Sequence, residues 1–253
     1  MTQGLSIIIP AFEEEDRLGE SVAKILGFLS GSGFGSELVI VDDGSRDSTE
    51  AVARSACAGQ TSIPCRVIRY EKNRGKGYAV KTGLMAAKYD LALFSDADLS
   101  TPIEETPKLI DPITRGDADV TFGSRTLDRS LIGTHQPWRR EQGGKVMNLI
   151  IKTLSGLPFH DTQCGFKAFN MLKFRPLLDV MTIDRFGFDV EFLFVANYHG
   201  LRLAEVPVRW NNVEGSKVSV LRDTRRMFTE LAQIRRNARN GAYNLSNDRK
   251  AQR

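Results

Sequence analysis

Several features are scarce or missing in this sequence, and each absence excludes a class of protein. Only 3 of 253 residues are cysteine, and Cys57, Cys65 and Cys164 show no CxxC spacing. This argues against a disulfide scaffold and a zinc site, and predicts buried thiols in a reducing compartment. No apolar run approaches the roughly 18 residues of a membrane span. A strand pattern starts within a few residues of Met1, leaving no room for a signal peptide. We therefore expect a cytosolic protein, or one peripheral on the cytosolic face of a membrane.

The excess of basic over acidic residues is also small, and it is unevenly distributed along the chain. The chain has 35 basic and 31 acidic residues, a formal net charge of +4, and 41% hydrophobic residues, which is typical of a globular protein. From Arg222 to the C-terminus there are 9 basic and 3 acidic residues, so the rest of the chain is slightly acidic. We predict a globular domain over 1–221 and a basic C-terminal helix and tail over 222–253.

Short apolar runs alternate with amphipathic stretches along the first half of the chain. Predicted strands cover 5–9, 38–41, 66–70, 91–95 and 119–122, and predicted helices begin near Leu18, Ser48, Tyr78 and Ile103. This alternation predicts an α/β fold with a mainly parallel sheet flanked by helices. After Gly123 a long polar loop precedes helices over about 144–154, 188–198 and 224–238 and a strand over 202–206.

Polar clusters follow the first, second and fourth predicted strands. They are PAFEE at 10–14, DDGS at 42–45 and SDAD at 95–98. Ligands of open parallel sheets bind beyond the carboxyl ends of the strands, and no GxGxxG follows the first strand, which counts against a dinucleotide enzyme. Asp96 and Asp98 lie on one side of an extended chain and can converge on Mg²⁺ or Mn²⁺. Helix capping or a solvated turn would also explain such a pair.

Seven segments resemble, in the same order, the motifs of family 2 glycosyltransferases with the GT-A fold. The resemblance is strongest to the branch that loads a sugar, glucose or mannose, onto dolichyl or polyprenyl phosphate. The segments are IIIPAFEEEDRL at 7–18, VIVDDGSRDST at 39–49, NRGKGYAVKTG at 73–83, DADLSTP at 96–102, GSR at 123–125, DTQCGFKAF at 161–169 and EGSK at 214–217. They span roughly 210 residues, so the resemblance implies this fold and a sugar transfer.

The resemblance assigns a donor site for a nucleoside diphosphate sugar, with UDP-glucose as the expected donor. Residues expected around the nucleobase are Pro10, Phe12, Glu14 and Asp42; those expected at the diphosphate are Arg74 and Lys76. Asp98 is the expected direct ligand of Mg²⁺ or Mn²⁺, and Asp96 would hold the ribose or a metal-bound water. Each of these residues also has a structural explanation. Pro10 could end a strand, Phe12 could be a core aromatic and Glu14 a carboxylate at the start of a helix. The segment with Arg74 and Lys76 could be a solvated basic turn.

For the acceptor, the resemblance implies a polyprenyl or dolichyl phosphate and an inverting displacement. Its phosphate would be bound by Arg125, Arg139 and Arg140, since guanidinium groups bind phosphate bidentately, and Lys217 is a further candidate on a closing loop. Asp161 would act as a general base or as a positioning group, because a phosphate acceptor is already ionised at neutral pH. Ordinary surface charge is the alternative for each arginine.

Two other functions remain open at this point. One is a soluble relative that glycosylates a small molecule or saccharide; the other is a noncatalytic protein that binds a nucleotide sugar or a nucleic acid. Intact acidic clusters and few aromatic residues in the tail oppose the last, so we expect no nucleic acid partner. The basic helix at 224–238 either lies on anionic lipid or packs on the domain by its apolar side.

Overall fold

The computed structural model describes residues 4–33, 35–58, 62–134, 138–213 and 220–245, without the side chains of 138–142, 145–146 and 220–225. The strands are β1 (Gly4–Ala11), β2 (Gly35–Asp42), β3 (Cys65–Arg69), β4 (Leu91–Ser95), β5 (Val120–Ser124), β6 (Ile132–Thr134), β7 (Phe166–Asn170), β8 (Leu203–Pro207) and β9 (Trp210–Asn211). The helices are α1 (Leu18–Gly31), α2 (Thr49–Ala58), α3 (Lys76–Ala86), α4 (Thr106–Thr114), α5 (Trp138–Ser155), α6 (Met171–Leu178), α7 (Phe188–Tyr198) and α8 (Val220–Arg239). Short 3₁₀ turns at Ile103–Glu105 and Arg129–Leu131 precede α4 and β6.

Seven strands form the central sheet, in the order β3-β2-β1-β4-β7-β5-β8. Chain progression from β1 runs through β2 to β3 on one side, whereas β4 pairs with the other side of β1. The strand order therefore reverses between β1 and β4, and this switch point opens a crevice at the carboxyl ends of the two strands. A separate two-stranded parallel pair joins β6 and β9.

The sheet is covered on both faces, as the continuous apolar runs predict. Residues of β1 point alternately into two buried clusters, with Ile8 in one and Ile7 and Ile9 in the other. Helix α1 packs on the second cluster through Leu18, Val22, Ile25, Leu26 and Leu29, an apolar set at helical spacing. The expected α/β fold, with a mainly parallel sheet between helices, is confirmed.

Strand β7 is an element that the alternating pattern did not predict. It runs antiparallel to both neighbours, with Phe166 opposite Ser95 of β4 and Phe169 opposite Val120 of β5. Its residues had been assigned only to the DTQCGFKAF motif. Because β7 is reversed, residues 161–165, which precede it, lie at the same sheet edge as the carboxyl ends of β4 and β5.

The expectation of three buried thiols is wrong for two of the cysteines. Cys57, at the end of α2, and Cys65, at the start of β3, form a disulfide across a Cα–Cα distance of 5.3 Å. An odd count and the lack of CxxC spacing do not exclude one pair joined by a short connection between adjacent elements. Cys164 is a buried free thiol, as expected.

Helix α8 places its apolar side against the core. Met227, Leu231 and Ile234 are at most 4% exposed and belong to the same cluster as Phe122 and Phe192. The stripe considered for lipid contact is therefore used in packing, while the domain boundary at residue 221 stays a prediction. Within the described residues, no helix combines the length and the apolar composition that crossing a bilayer demands.

Candidate active site

A cleft of about 350 Å³ opens at the switch point between β1 and β4. Its lining comes from the ends of both strands, the start of α3 and the segment before α7. The residues are Pro10, Ala11, Phe12, Glu14, Arg17, Asp43, Asn73, Gly75, Lys76, Ala79, Asp96, Ala97, Asp98, Arg185 and Phe186. The structure thus brings together six of the predicted donor-site residues: Pro10, Phe12, Glu14, Lys76, Asp96 and Asp98.

The carboxylates at the end of β4 form the acidic side of the cleft. Asp96 Oδ1 lies 2.5 Å from Lys76 Nζ. Burial would lower the pKa of Lys76, but Asp96 and the neighbouring Asp189 raise it, so the ammonium stays charged. Asp98 accepts a hydrogen bond from Ser100 N at 2.9 Å through Oδ1. No group of three or more His, Cys, Asp or Glu side chains with metal-site geometry occurs among the described residues.

Backbone strain concentrates at this edge of the sheet. Glu13, after Phe12, has φ 54°, and Leu99, after Asp98, has φ 47°, a region that non-glycine residues rarely adopt. The residue before β7 also approaches Asp96 closely. A Cβ on Gly165 would lie 2.1 Å from Asp96 Oδ2, so this position requires glycine. Strained backbone at strand ends is typical of functional sites, where the surrounding structure holds side chains in a set geometry.

At the end of β2, the structure separates the two aspartates of the DDGS motif. Asp42, predicted at the nucleobase, is fully buried and does not line the cleft. Its Oδ1 accepts from Ser45 N at 2.9 Å, and Arg69 Nε lies 3.2 Å from Oδ2. Asp43 does line the cleft, and its carboxylate accepts hydrogen bonds of 2.8 Å from Asn73 Nδ2 and from the backbone N of Arg74 and Gly75.

Two charged residues of the predicted donor site are already paired. Glu14 accepts from Arg17, an unpredicted cleft residue, through Nη2 at 2.8 Å and through Nε. Arg74, predicted at the diphosphate, does not line the cleft. Its guanidinium lies 3.5 Å from the centre of the Tyr78 ring and 3.3 Å from Asp184 Oδ2. Of the two basic residues in the NRGKG motif, Lys76 is thus the one that lines the cleft, together with Asn73 and Gly75.

Arg125 and Asp161 form a bidentate ion pair beside the cleft. Arg125 donates from Nε and Nη2 to the two carboxylate oxygens at 2.7 and 2.8 Å, and from its backbone N at 3.0 Å. Burial would raise the pKa of Asp161, but the Arg125 guanidinium holds it below its usual range. Burial would lower the pKa of Arg125, but Asp161, and further away Asp96, raise it. The structure therefore places Asp161 as the partner of Arg125.

A second buried ion pair lies beneath the cleft and was not predicted. Lys167 of β7 is fully buried and donates to Cys164 O at 2.7 Å and to Asp189 Oδ1 at 2.6 Å. Burial, partly offset by Lys167, raises the pKa of Asp189. In the sequence, the available signal was a lysine flanked by the apolar residues Phe166 and Ala168 in the DTQCGFKAF motif.

Three predicted acceptor residues cannot be placed. Lys217 and the whole EGSK segment lie outside the described residues. Arg139 and Arg140 belong to the first turn of α5, but their side chains also lie outside the description. Of the predicted acceptor-phosphate residues, Arg125 is therefore the one whose side chain has a described position.

Comparisons with known proteins identify a family and several relatives of this chain. The model of the family "Glycosyl transferase family 2" matches residues 6–178. A dolichyl-phosphate beta-glucosyltransferase of Dictyostelium discoideum is 32% identical over 241 residues, which cover 91% of this chain and 73% of that protein. The human dolichyl-phosphate beta-glucosyltransferase is 32% identical over an alignment of 263 residues, gaps included, which covers 98% of this chain and 80% of the human protein.

Solved structures support the same fold at lower identity. Glucosyl-3-phosphoglycerate synthase from Mycobacterium tuberculosis, in complex with Mn²⁺, UDP and phosphoglyceric acid, has a TM-score of 0.69 and 18% identity, with coverage of 92% of this chain and 78% of that chain. Mannosyl-3-phosphoglycerate synthase from Rubrobacter xylanophilus has a TM-score of 0.66 and 18% identity, and the match covers 94% of this chain and 75% of that chain. The family match and the relatives at 32% identity show that this chain belongs to glycosyl transferase family 2.

Proposed function

We propose that this glycosyltransferase moves glucose from UDP-glucose to a polyprenyl or dolichyl phosphate and inverts the anomeric centre. The observation that carries the proposal is the cleft at the β1–β4 switch point, where Asp96, Asp98 and Lys76 face one volume. The donor and acceptor follow from the relatives, which are dolichyl-phosphate beta-glucosyltransferases. The Mycobacterium structure, which holds Mn²⁺ and UDP, supports the uridine nucleotide and the divalent cation.

The donor set of the cleft fits a hard divalent cation. Mg²⁺ and Mn²⁺ prefer oxygen ligands, and Asp98 Oδ2 has no hydrogen-bond partner among the described residues. Asp98 is our candidate for the direct ligand of the cation, and Asp96 is our candidate for holding the ribose or a metal-bound water. When bound, the cation would neutralise charge on the leaving diphosphate. Lys76 offers a further positive charge to the same diphosphate, and its contact with Asp96 keeps it at the cleft.

For the acceptor, the proposal needs no general base. A phosphate monoester is ionised at neutral pH, and the paired, low-pKa Asp161 is already committed to Arg125. Asp161 uses Nε and Nη2 of the guanidinium and leaves Nη1 without a hydrogen-bond partner among the described residues. We assign Nη1 to the acceptor phosphate, with Arg139, Arg140 and Lys217 retained as further candidates.

The chemical step is a single in-line displacement. An oxygen of the lipid phosphate attacks the anomeric carbon, the bond from that carbon to the diphosphate oxygen breaks, and UDP leaves with the electron pair. Fixed positive groups, Lys76 on the donor side and Arg125 on the acceptor side, stabilise the charge that moves between the two phosphates. Attack opposite the leaving group turns an α-linked donor into a β-linked product.

We also propose a peripheral contact with anionic lipid. A groove between α5 and α8 has an apolar floor, including Leu154 and the exposed Phe228, and an arginine rim formed by Arg235, Arg236 and Arg239. No ion pair of these arginines occurs among the described residues, so their charge is open to phosphate headgroups. The cytosolic side of the membrane stays a prediction, and the Cys57–Cys65 disulfide removes the support that the cysteine count had given it.

The deciding experiment incubates the protein with Mg²⁺ or Mn²⁺ and a panel of nucleotide sugars, with and without a prenyl phosphate, and measures release of the nucleoside diphosphate. The proposal predicts release from UDP-glucose that depends on the lipid phosphate and stops in chelator. Release that requires a soluble acceptor such as phosphoglycerate would favour the small-acceptor function instead. A protein that binds the nucleotide and turns over no panel member would contradict both.

A further inference from the structure

One wall of the cleft comes from residues 182–187, which precede α7 and are called the cleft wall below. The segment contains no helix or strand of its own, yet Arg185 and Phe186 both line the cleft together with the ends of β1 and β4. A ligand in the cleft would contact these two side chains, so the position of the cleft wall sets the width of the site. An irregular segment in that place needs an external support.

The first end of the cleft wall is held by a buried carboxylate. Glu191 of α7 accepts from Thr182 N at 2.9 Å and from Ile183 N at 2.9 Å. The hydroxyl of Tyr243, which follows α8 and is also fully buried, donates to Glu191 at 2.8 Å. Asn237 of α8 donates to Thr182 Oγ1 at 2.9 Å. This end is therefore tied to α7 and to the C-terminal part of the chain together.

The other end is held by α8 directly. Gly187 N donates to Glu230 Oε2 at 2.7 Å, and Glu230 is 9% exposed. The contact requires glycine, because a Cβ on Gly187 would lie 2.7 Å from the same oxygen and 2.9 Å from Glu230 Cβ. Desolvation by burial raises the pKa of Glu230, and the hydrogen bond from Gly187 opposes that rise. The bond thus offsets part of the cost of burying this carboxyl group.

The middle of the cleft wall supports the basic turn before α3. Asp184 O accepts from Tyr78 N at 3.0 Å, and Asp184 Oδ2 pairs with Arg74. Gly75 has φ 118°, and a Cβ there would lie 2.5 Å from Asp184 O. Because Lys76 follows Gly75, a shift of the cleft wall would also displace the lysine that faces the diphosphate position.

We propose that Glu230 is a positioning residue for the nucleotide sugar: from α8 it holds the cleft wall, and with it Arg185, Phe186 and the turn of Lys76, at the width that binds a nucleoside diphosphate. The ligand named here rests on the proposed function. On this view the charged C-terminal helix serves the donor site, although its sequence suggested a role at the surface. Glu191 and Asn237 complete the same support at the other end of the segment.

The test compares variants of the full chain by calorimetric binding of UDP with Mn²⁺, by the donor KM and kcat, and by thermal unfolding. Glu230→Ala removes the acceptor of Gly187 N and should weaken UDP binding, and raise the donor KM, on the order of tenfold, the effect of one buried hydrogen bond. We expect a smaller change in kcat. Glu230→Gln keeps a carbonyl oxygen at the same position and should stay within about threefold of the wild type.

Two controls separate positioning from general destabilisation. Ile234→Val and Ile234→Ala truncate a core side chain of the same helix that takes no part in the hydrogen bonds to the cleft wall, and we expect their losses of Tm to bracket that of Glu230→Ala. They should leave UDP binding unchanged, as should Thr229→Ala at an exposed position of α8.

Equal loss of UDP affinity in Glu230→Ala and in an Ile234 variant of the same Tm would overturn the inference. So would a Glu230→Ala protein that binds UDP like the wild type, or a Glu230→Gln protein as weak as Glu230→Ala. Wild-type binding of UDP without transfer to a prenyl phosphate would contradict the proposed acceptor instead, and the variant comparison would still decide the role of Glu230.

Discussion

The ends of β1 and β4 lie near the segment that precedes β7 and the first turn of α7, but these regions use their charged side chains differently. At the end of β4, Asp98 keeps one carboxylate oxygen without a hydrogen-bond partner among the described residues. In the later segments, Asp161, Asp189 and Glu191 are buried, and each already accepts from a protein donor. The same type of side chain thus serves a ligand in one region and the protein in the other.

The difference shows that exposure and partner, more than residue type, decide what a carboxylate does. A removed cleft carboxylate should cost activity and little stability, since water replaces the ligand contacts. A removed buried partner should cost stability, because it leaves a charge unpaired in a place that water does not reach. We therefore expect substitutions at the cleft to lower activity more than stability, and substitutions of the buried carboxylates or their partners to lower stability.

The largest effect is expected for Asp98→Ala. Loss of the proposed metal ligand should lower kcat for glucosyl transfer by about 10³-fold or more, since metal stabilisation of the leaving group contributes several kcal/mol. The Tm should change by no more than a few degrees. Asp117→Ala, at an exposed aspartate paired with Arg115, is the matched control and should keep full activity. Transfer by Asp98→Ala at the wild-type rate would remove Asp98 from the metal site.

Next in size is the pair of Arg125 and Asp161. Arg125→Ala leaves Asp161 buried without its cation, and we expect a loss of about 3 to 5 kcal/mol in the free energy of unfolding. Replacing both, with Arg125→Met and Asp161→Leu, should recover most of that stability and none of the transfer activity. Urea unfolding and the prenyl-phosphate assay measure the two quantities. A double variant that regains activity would show that the pair only supports the fold.

The same pair has a defined pH dependence. Burial raises the pKa of Asp161, but the charge and hydrogen bonds of Arg125 lower it by more, so the pKa lies below the ordinary value of 3.8. The pair therefore stabilises the protein above about pH 3.8, and this contribution is lost as the pH falls through the lowered pKa. The difference in unfolding free energy between wild type and double variant should shrink over that window; a difference independent of pH would contradict an ionised Asp161.

The arginines at the end of α8 are charged residues of the later segments that stay exposed. Replacing Arg235, Arg236 and Arg239 by alanine should weaken binding to vesicles containing phosphatidylserine, measured by sedimentation, on the order of 100-fold, at about 1 kcal/mol for each charge. UDP binding should not change. Deletion from Arg222 is a poorer test, because it also removes Glu230 and the core residues of α8. Equal binding of triple variant and wild type would leave α8 without a lipid contact.

The smallest effect concerns the cysteines, which again differ between the two parts of the chain. Burial, and then the nearby Asp161, raise the pKa of Cys164 to about 12, so its thiol should not react with a maleimide at pH 8 in the native protein. Mass spectrometry should find one labelled thiol after unfolding without reductant and three after reduction. Three labelled thiols without reductant would exclude the Cys57–Cys65 disulfide.

The sequence was most informative where structure is local and periodic. Strands β1 to β5 and the helices between them follow apolar patterns, and Asp96, Asp98 and Lys76 were found because they follow strands or precede a helix. Strand β7 was missed because its lysine is buried by a partner, Asp189, that lies 22 residues further along the chain. Periodicity alone does not report such a contact.

Site residues were harder to predict when a neighbour decides their role. Asp42 and Asp43 are adjacent in sequence, and only the pairing of Asp42 with Arg69 shows that Asp43 is the one at the cleft. Arg185 and Phe186 lie in a segment without a motif and reach the cleft through contacts with α3, α7 and α8. These contacts join positions that are distant in the chain, so they required the three-dimensional structure.

The reversed direction of β7 has a practical consequence for watching the enzyme at work. The chain enters β7 after Gly165, at the edge of the sheet that carries the cleft, and leaves it at the opposite edge, at Asn170, next to Leu91. Asp90, exposed beside that far rim, is separated from Asp96 by the whole of β4, about 20 Å of extended chain. A fluorophore attached at Asp90 would therefore sit within energy-transfer range of a labelled nucleotide sugar while leaving the entrance clear for both substrates.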